Sequence, residues 1–408
     1  MRKGTALQKE TAGEAERRRK VRHEKERNSM ILQSKRVWIG GQFLPFQLEI
    51  EDGVISRVLA YGEREADEDW GERRIVPGFI DVHTHGAYGF DTNDAEPEGL
   101  KNWMRRIPEE GVTSILPTTV TQMPDVLTAA VRNVADVMEG EYEGAEILGI
   151  HFEGPFLDMA YKGAQPPEAI AVPSVEQFKK YQEAARGHIR YITIAPEHDR
   201  DMELLRYLAK TGVVASMGHS CATYEQAMAA IANGAKSMTH VYNGMTPFTH
   251  RKPGLVGIAF RVRDIYGEII ADGHHSDVSA LNNFYQLKGR DFAMMITDSL
   301  RAKHCPPGGK YQLGGHDIEI SREGLAYLKG TNTIAGSTLH MNRGLQILVE
   351  KAMVPFDYAL NSCTINPARC LGVDGRKGKI CAGYDADLVV LEDNYDVAQT
   401  YCRGKKML

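Results

Sequence analysis

Features typical of membrane and secreted proteins are missing from this 408-residue sequence. It has no run of about 18 apolar residues, which excludes a membrane-spanning helix. Its first residues lack the apolar segment of a secretory signal peptide. Its six cysteines are scattered without a C-x-x-C pair, a pattern typical of reduced thiols. We therefore predict a cytoplasmic protein without a membrane partner.

Nucleotide-binding signatures are also missing, and the charge does not favour a nucleic-acid partner. No G-x-G-x-x-G follows the first strand predicted for the central region, and there is no P-loop. The net charge is -5, so we expect no nucleic-acid partner. Residues 1–29 differ, with ten Lys or Arg against five Glu. We interpret this segment as a disordered basic tail rather than as a binding patch.

Short strands with tight turns are predicted near both ends of the chain. Asp52-Gly53 separates the apolar alternations of residues 48–51 and 54–58, which is a hairpin signal. Residues 386–391 repeat this pattern near the other end. Because chain termini often lie close together, we predict one small β-sandwich domain formed by residues 30–75 and 373–408.

Strand and helix segments alternate between these ends. Eight apolar runs end in polar residues, glycine or proline, at residues 79–82, 114–117, 147–150, 191–194, 213–216, 237–239, 269–271 and 293–296. Helical segments such as 172–185, 201–211 and 224–233 lie between most of them. Eight β/α units in roughly 220 residues are typical of a (β/α)8 barrel, whose catalytic groups follow the carboxyl ends of the strands. We predict this α/β barrel over residues 76–372, and the rival fold is a doubly wound open sheet.

Possible metal ligands follow the predicted barrel strands. His83 and His85 follow the first strand with one residue between them, so both side chains face the same way. Glu153 follows the third strand, and His219 and His240 follow the fifth and the sixth. Imidazole and carboxylate groups bind divalent metals such as Zn, Fe, Mn or Co. The pattern therefore predicts a metal centre.

A further carboxylate, Asp298, follows the eighth strand, where it could act as general base on a metal-activated water. The fourth strand ends in Ala195-Pro196-Glu197, without the lysine that bridges two metals in some barrels once it is carboxylated. Glu153 is therefore the expected bridge if two metals bind. Cys221 is not expected to be a nucleophile, because no base and orienting group accompany it.

These motifs resemble those of the N-acetylglucosamine-6-phosphate deacetylase family, in the amidohydrolase superfamily. The resemblance covers about residues 31–402. It rests on Pro77-Gly-Phe-Ile-Asp-Val-His-Thr-His-Gly86, His151-x-Glu-Gly-Pro155, Gly218-His219-Ser220, Thr239-His-x-Tyr-Asn243, Ala271-Asp-Gly273, Thr297-Asp298 and residues 383–390. The H-x-H pair is common to the whole superfamily, whereas the His-x-Glu-Gly-Pro motif at residues 151–155 and the Thr-His-x-Tyr-Asn motif at residues 239–243 are far more specific.

The resemblance implies roles for individual residues. Glu153, His219 and His240 match the main metal site, and His83, His85 and Asp298 match a second metal position. Asp298 also matches the catalytic acid/base. The implied substrate-binding residues are Ala164, Gln165, Asn243, Gly244, Arg251, His275, Ile334, Ala335 and Gly336. Gln165 stands where some members have a histidine, and its amide can donate a hydrogen bond to an acetyl carbonyl but carries no charge.

The expected activity is metal-dependent hydrolysis of the acetamide of N-acetylglucosamine 6-phosphate, with one or two divalent ions. Arg251 can bind the phosphate with bidentate geometry, and the family resemblance implies a homodimer. One alternative is a deacetylase of N-acetylgalactosamine 6-phosphate or of another N-acyl amino sugar. The missing bridging lysine disfavours a cyclic amidase. A non-catalytic scaffold is disfavoured because every expected metal ligand is present.

Overall fold

The structure of the protein is a computed structural model that describes residues 29–306, 308–321 and 324–408. Except for Ser29, the predicted basic tail 1–29 lies outside the described residues. Within these ranges, no helix combines the length and the apolar character that crossing a membrane requires.

The secondary structure alternates over most of the chain. The strands are β1 (Ser29–Ile39), β2 (Gln42–Glu51), β3 (Val54–Ala60), β4 (Glu68–Asp69), β5 (Arg74–Pro77), β6 (Phe79–Thr84), β7 (Gly86–Ala87), β8 (Phe90–Asp91), β9 (Val112–Pro117), β10 (Glu146–Ile147), β11 (Ile150–Glu153), β12 (Ile189–Ile194), β13 (Val214–Met217), β14 (Ala235–Met238), β15 (Tyr266–Ile270), β16 (Ala293–Ile296), β17 (Tyr311–Leu313), β18 (His316–Ile320), β19 (Ala326–Leu328), β20 (Leu388–Leu391), β21 (Val397–Cys402) and β22 (Lys405–Lys406). The α-helices are α1 (Pro97–Arg106), α2 (Pro124–Glu139), α3 (Val175–Ala184), α4 (Glu203–Thr211), α5 (Tyr224–Ala232), α6 (Gly254–Arg261), α7 (Val278–Phe292), α8 (Met341–Gln346), α9 (Phe356–Ser362) and α10 (Ile365–Leu371). Short 3-10 helices cover Thr92–Asp94, Ile107–Glu110, Pro167–Ala169, Pro196–His198 and Arg200–Met202, and a π-helical turn covers Ile347–Lys351.

Strands from both ends of the chain form one sheet. Its order is β22-β21-β20-β5-β1-β2-β3, and β4 pairs with β1. The turn at Asp52-Gly53 has positive φ at both residues, 51° and 81°. This backbone matches the right-handed twist of the flanking strands and makes the predicted hairpin. A sandwich of two such sheets stays a prediction.

Each of the eight predicted strand regions contains a strand. They pair in parallel as two sheets, β10-β9-β6 and β11-β12-β13-β14-β15-β16. The third region differs from the prediction, because residues 147–150 end β10 and begin β11 rather than forming one strand. Gly149, with φ 148°, lies between the two strands. A side chain at this position would meet Arg190, so the backbone leaves the regular strand there.

Backbone contacts join the two parallel sheets at both edges. Thr118 and His151 form a parallel bridge on one side. On the other side, the Asp298 N–H donates to the His83 carbonyl over 2.9 Å, and the His85 N–H donates to the Ser299 carbonyl over 2.7 Å. This arrangement is consistent with a β/α barrel, and it brings the carboxyl ends of the strands together.

A small antiparallel sheet, β17-β18-β19, follows the last parallel strand. Sequence reasoning did not predict this sheet. Leu313 and Ile318 of this sheet form an apolar cluster with Val120 and Leu300, and Ala164 packs against the cluster. The small sheet thus contacts the loop that carries the predicted substrate residues Ala164 and Gln165.

Candidate active site and metal centre

The six predicted metal ligands lie together at the carboxyl ends of the parallel strands. His83 and Glu153 belong to β6 and β11, His85 follows β6 directly, and His219, His240 and Asp298 each lie two residues beyond β13, β14 and β16. All six are buried, with between 0% and 8% of their surface exposed. The topology therefore gathers residues that are up to 215 positions apart in the chain (from 83 to 298).

Three of these residues have unusual backbone conformations. The φ angles of His219, His240 and Asp298 are 46°, 24° and 50°. Positive φ is uncommon outside glycine, although Asp and His adopt it more readily than most residues. Such conformations cost energy and cluster at functional sites. The turns after β13, β14 and β16 therefore have the backbone character expected of an active site.

The Glu153 carboxylate lies at the centre of the cluster. Its Oε1 lies 3.3 Å from the Nε2 atoms of His83 and His219, and 3.4 Å from Nε2 of His240. Its Oε2 lies 3.4 Å from Nε2 of His85. The two oxygens therefore face different histidines. The carboxylate is therefore close to all four histidines that the sequence predicts as metal ligands.

Asp298 lies beside the H-x-H pair. Its Oδ1 is 3.0 Å from Nε2 of His85 and 3.5 Å from Nε2 of His83. Burial alone would raise the pKa of Asp298, but the hydrogen bond with His85 and the charge of His83 outweigh burial and lower this pKa to about 2. The side chain is therefore ionised near neutral pH, as a general base must be.

The histidines are held by their other ring nitrogens. Nδ1 of His83 lies 2.8 Å from Oε2 of Glu268, and Nδ1 of His85 lies 3.2 Å from the Thr118 carbonyl. Nδ1 of His219 lies 2.8 Å from the Tyr161 carbonyl, and Nδ1 of His240 lies 3.1 Å from the Asn243 carbonyl. Each acceptor favours the tautomer with the proton on Nδ1. The lone pair of Nε2 then points at the carboxylates, as in metal-binding histidines.

The polar atoms of the cluster fit a divalent cation. Among the described residues, Nε2 of His83 and Oε1 of Glu153 are buried without a hydrogen-bond partner. The Nε2 atoms of His219 and His240 are 3.1 Å apart, and two lone pairs repel at that distance unless a proton or a metal lies between them. Two groups made up only of predicted ligands have ligand atoms within 4.8 Å of one another, His83–Glu153–His240 and His83–His85–Asp298.

Gln165 is one predicted substrate residue that the structure brings to the cluster. Its Nε2 donates to Oε2 of Glu153 over 2.7 Å, and its Oε1 accepts the N–H of Thr121 over 2.8 Å. The amide therefore contacts a predicted metal ligand, whereas the sequence suggested a contact with the acetyl carbonyl.

Two glycines allow close backbone approach at the site. A Cβ at Gly244 would lie 3.0 Å from Nδ1 of His219, and a Cβ at Gly336 would lie 3.1 Å from the Asp298 carbonyl. Both have positive φ, 58° and 64°. Asn243 contributes the carbonyl that holds His240, as described above. These three predicted residues therefore shape the cluster through their backbone.

The other predicted substrate residues lie further from the metal ligands or make other contacts. Arg251 is exposed on the loop before α6. His275 is paired with Asp272 over 2.6 Å, Ala335 is buried, and Ile334 forms a bridge with Tyr327. Their contacts with a substrate stay predictions.

Sequence reasoning missed Glu268 and assigned no role to Asp81 and His151. The sequence signal that could have pointed to Glu268 is its acidic side chain within the otherwise apolar strand β15. Asp81 accepts the Thr297 hydroxyl over 2.5 Å, and burial raises the pKa of Asp81 to about 6. The His151 ring packs edge-on against the ring of His83, with centroids 4.5 Å apart, and its nitrogens lie 3.0 Å from the Val82 carbonyl and 2.8 Å from the Thr193 hydroxyl.

Cys221 has the properties of an unreactive thiol. It donates to Oδ2 of Asp158 over 3.4 Å. Burial and the charge of Glu197 raise the pKa of Cys221 to about 12. The thiol is therefore protonated at neutral pH, which agrees with the expectation that it is not a nucleophile.

Four histidines and two carboxylates at the ends of parallel strands define a metal-dependent hydrolase of the β/α class. The model of a family described as "Amidohydrolase family" matches residues 74–407. The chain therefore belongs to the amidohydrolase family.

Within this family, the chain is similar to deacetylases of amino-sugar phosphates. The chain is 41% identical to the N-acetylglucosamine-6-phosphate deacetylase of Bacillus subtilis (strain 168), over 87% of this chain and 91% of the relative. It is 33% identical to the N-acetylgalactosamine-6-phosphate deacetylase of Escherichia coli O157:H7, over 88% and 94%. A structure of the Mycobacterium smegmatis N-acetylglucosamine-6-phosphate deacetylase with bound N-acetylglucosamine 6-phosphate is 32% identical, with a TM-score of 0.88 and coverage of 93% of this chain and 100% of that chain.

Proposed function

We propose that this protein hydrolyses the acetamide of N-acetylglucosamine 6-phosphate to glucosamine 6-phosphate and acetate. The observation that carries the proposal is the position of Asp298 beside the central Glu153 and its four histidines. The similarity to deacetylases over about nine tenths of the chain supports the choice of substrate. Together, the site geometry and the similarity favour acetamide hydrolysis among the reactions that amidohydrolases perform.

The donor set suits one or two divalent ions, with Zn or Fe before Mn or Co. Glu153, His219 and His240 would hold the first ion, and His83, His85 and Asp298 would hold the second, with Glu153 as the bridge. When bound, such an ion lowers the pKa of a water molecule and polarises the acetamide carbonyl.

The protein's own groups would then move the proton. Oδ1 of Asp298 faces His83 and His85, so we assign proton transfer to Oδ2. This oxygen accepts a proton as the water oxygen bonds to the acetamide carbon. The same oxygen returns the proton to the sugar nitrogen as the carbon–nitrogen bond breaks. The products are acetate and the amine.

Acetate release tests the proposal directly. Protein supplied with Zn²⁺ or Fe²⁺ is given N-acetylglucosamine 6-phosphate, and the unphosphorylated sugar is the control. Fast release from the phosphate alone is the expected result. No release by metal-loaded protein would reject this substrate and leave other N-acyl sugars to be tested.

The second candidate substrate is N-acetylgalactosamine 6-phosphate. It is favoured by the 33% identity to a deacetylase of that name. The two sugars differ in the orientation of one hydroxyl group. Measuring kcat/KM for both under the same conditions decides between them, and the higher value identifies the preferred substrate.

We further propose that Arg251 binds the phosphate and that the protein is a homodimer. Arg251 lies on the same loop as Phe248, whose surface is 52% exposed. Phe248 lines an apolar groove with Tyr224, Tyr242 and Phe260. A second copy that covers this groove would also lie near Arg251. Light scattering of the wild type and of Phe248→Ser tests this, with a dimer and a weakened dimer as the expected results.

The finer division of the chain is also a proposal. We assign residues 76–372 to a closed (β/α)8 barrel, and residues 30–75 and 373–408 to the small β-domain. The parallel sheets joined at both edges support the barrel. The single sheet built from both ends supports the β-domain. Differential scanning calorimetry tests this division, with separate unfolding transitions expected for the barrel and the small β-domain, whereas a single two-state transition would argue against two units.

A further inference from the structure

Glu268 is a buried carboxylate that the proposed chemistry does not use. It belongs to β15 and has no exposed surface. Its Oε2 lies 2.8 Å from Nδ1 of His83 and accepts the His240 N–H over 3.3 Å. Its Oε1 has no hydrogen-bond partner in the described part of the chain. One carboxylate therefore contacts two residues of the metal centre without belonging to the predicted ligands.

His83 differs from the other three histidines in the partner of its Nδ1 atom. His85, His219 and His240 are held by neutral backbone carbonyls, whereas His83 is held by a carboxylate. A charged acceptor makes a stronger hydrogen bond than a neutral one. It also makes the imidazole a more basic ligand. The His83 ring is therefore both the most firmly oriented and the most electron-rich of the four.

His83 links Glu268 to the centre of the cluster. Its Nδ1 lies 2.8 Å from Oε2 of Glu268, and its Nε2 lies 3.3 Å from Oε1 of Glu153. Because the proton on Nδ1 is directed at Glu268, the lone pair of Nε2 is left free to bind a cation beside Glu153.

We propose that Glu268 is the positioning residue of the metal ligand His83. It accepts a hydrogen bond from the Nδ1–H of His83. This bond keeps the proton of the imidazole on Nδ1 and aims the Nε2 lone pair at the space between Glu153 and Asp298. It also strengthens the bond from His83 to the ion. This inference rests on the metal centre of the proposed function, but not on the identity of the substrate.

A double-mutant cycle on Zn²⁺ binding tests the inference. Zn²⁺ affinity is measured by competition with a chelating dye for the wild type, Glu268→Gln, His83→Ala and the double variant. Loss of such an outer partner typically weakens metal binding by about 10- to 100-fold. We expect a loss of this size for Glu268→Gln in the wild-type background. We expect a change of less than about 3-fold in the His83→Ala background, because the ligand that Glu268 positions is absent.

Two results would overturn the inference. One is an unchanged Zn²⁺ affinity in Glu268→Gln. The other is an equal loss in both backgrounds, which would mean that Glu268 acts through general stability. Glu268→Asp keeps the charge and is expected to bind Zn²⁺ with an affinity between those of the wild type and Glu268→Gln, and any other order contradicts the proposal. If Glu268→Gln does not fold, the Zn²⁺ affinity of Glu268→Asp relative to the wild type still tests the proposal.

The same titration separates this inference from the proposed function. A wild type that binds Zn²⁺ but releases no acetate from either sugar phosphate would refute the substrate assignment. The role of Glu268 would stand if the cycle gave the expected coupling. Circular dichroism of the metal-free variants confirms that the compared proteins share the wild-type fold.

Discussion

Gln165 holds the predicted metal ligand Glu153 in place, with its Nε2 donating to Oε2 of Glu153 over 2.7 Å. The Thr121 N–H fixes the other end of the amide over 2.8 Å. Because the acceptor end of the amide is occupied, its donor end must face Glu153. The neutral amide of Gln165 thus acts on the predicted metal centre itself.

Removing this amide should impair catalysis more than substrate binding. Gln165→Ala leaves Oε2 of Glu153 without its donor, and we expect kcat to fall about 10- to 100-fold, as for other partners of metal ligands. Steady-state acetate release measures the effect. Gln122→Ala is the matched control, because the Gln122 amide contacts backbone atoms away from Glu153, accepting the Met123 N–H over 2.8 Å and donating to the Gly314 carbonyl over 3.4 Å. A rise in KM with unchanged kcat would instead place Gln165 on the substrate.

Asp298 is assigned the proton transfers. Asp298→Asn keeps the shape of the side chain but cannot accept the proton of water, so we expect kcat to fall by about 10²- to 10⁴-fold. The ion assigned to Glu153, His219 and His240 should stay bound, as native mass spectrometry can measure. Asp291→Asn, an exposed aspartate that pairs with Arg369, should retain wild-type activity. Near-full activity in Asp298→Asn would show that another group moves the proton.

Arg251 is assigned the phosphate. Hydrogen bonds to a charged group contribute about 1.5–3 kcal/mol, so Arg251→Ala should lower kcat/KM for the sugar phosphate by about 10- to 100-fold. Activity on the unphosphorylated sugar should not change. Lys210→Ala removes an exposed cation at the end of α4 and serves as the control. An equal loss on both sugars would argue against a phosphate contact.

The buried pair of Glu110 and Lys303 should make stability depend on pH. Lys303 Nζ lies 2.9 Å from Oε1 of Glu110, and His304 lies 3.0 Å from the same oxygen. Burial raises the pKa of Glu110, but the charge of Lys303 and the hydrogen bond from His304 outweigh burial and lower this pKa to about 2. The folded state therefore binds this proton less readily than the unfolded state does. The stabilisation is present above about pH 4.5 and is lost as the pH falls towards 2.

Glu110→Gln tests this dependence. Breaking a buried pair costs about 3–5 kcal/mol, so the urea midpoint of the variant should be well below that of the wild type at pH 7. The difference in the free energy of unfolding should be about 2 kcal/mol smaller at pH 3. Glu109→Gln removes a neighbouring exposed carboxylate and should change stability by less than about 0.5 kcal/mol. A pH-independent difference would show that Glu110 acts through packing alone.

The strands and the polar residues that cluster at their ends could be predicted because their signals are local. Apolar runs followed by polar residues occur at each of the eight strand regions, and the histidines and Asp298 follow these runs directly. The prediction failed in detail at residues 147–150, where Gly149 interrupts the strand. A periodic apolar pattern does not show such a change in backbone conformation.

The sequence by itself determined which side chains could form the metal centre, because parallel strands place the residues after their carboxyl ends at one edge. Only the tertiary structure decided which atoms meet. Glu268 lies 185 positions from His83, and Gln165 reaches Glu153 because the Thr121 N–H orients its amide. Such contacts depend on strand register, loop path and side-chain rotamers across separate units of the fold. No local pattern encodes these distances, whereas hydrophobic periodicity and turn residues do encode the strands themselves.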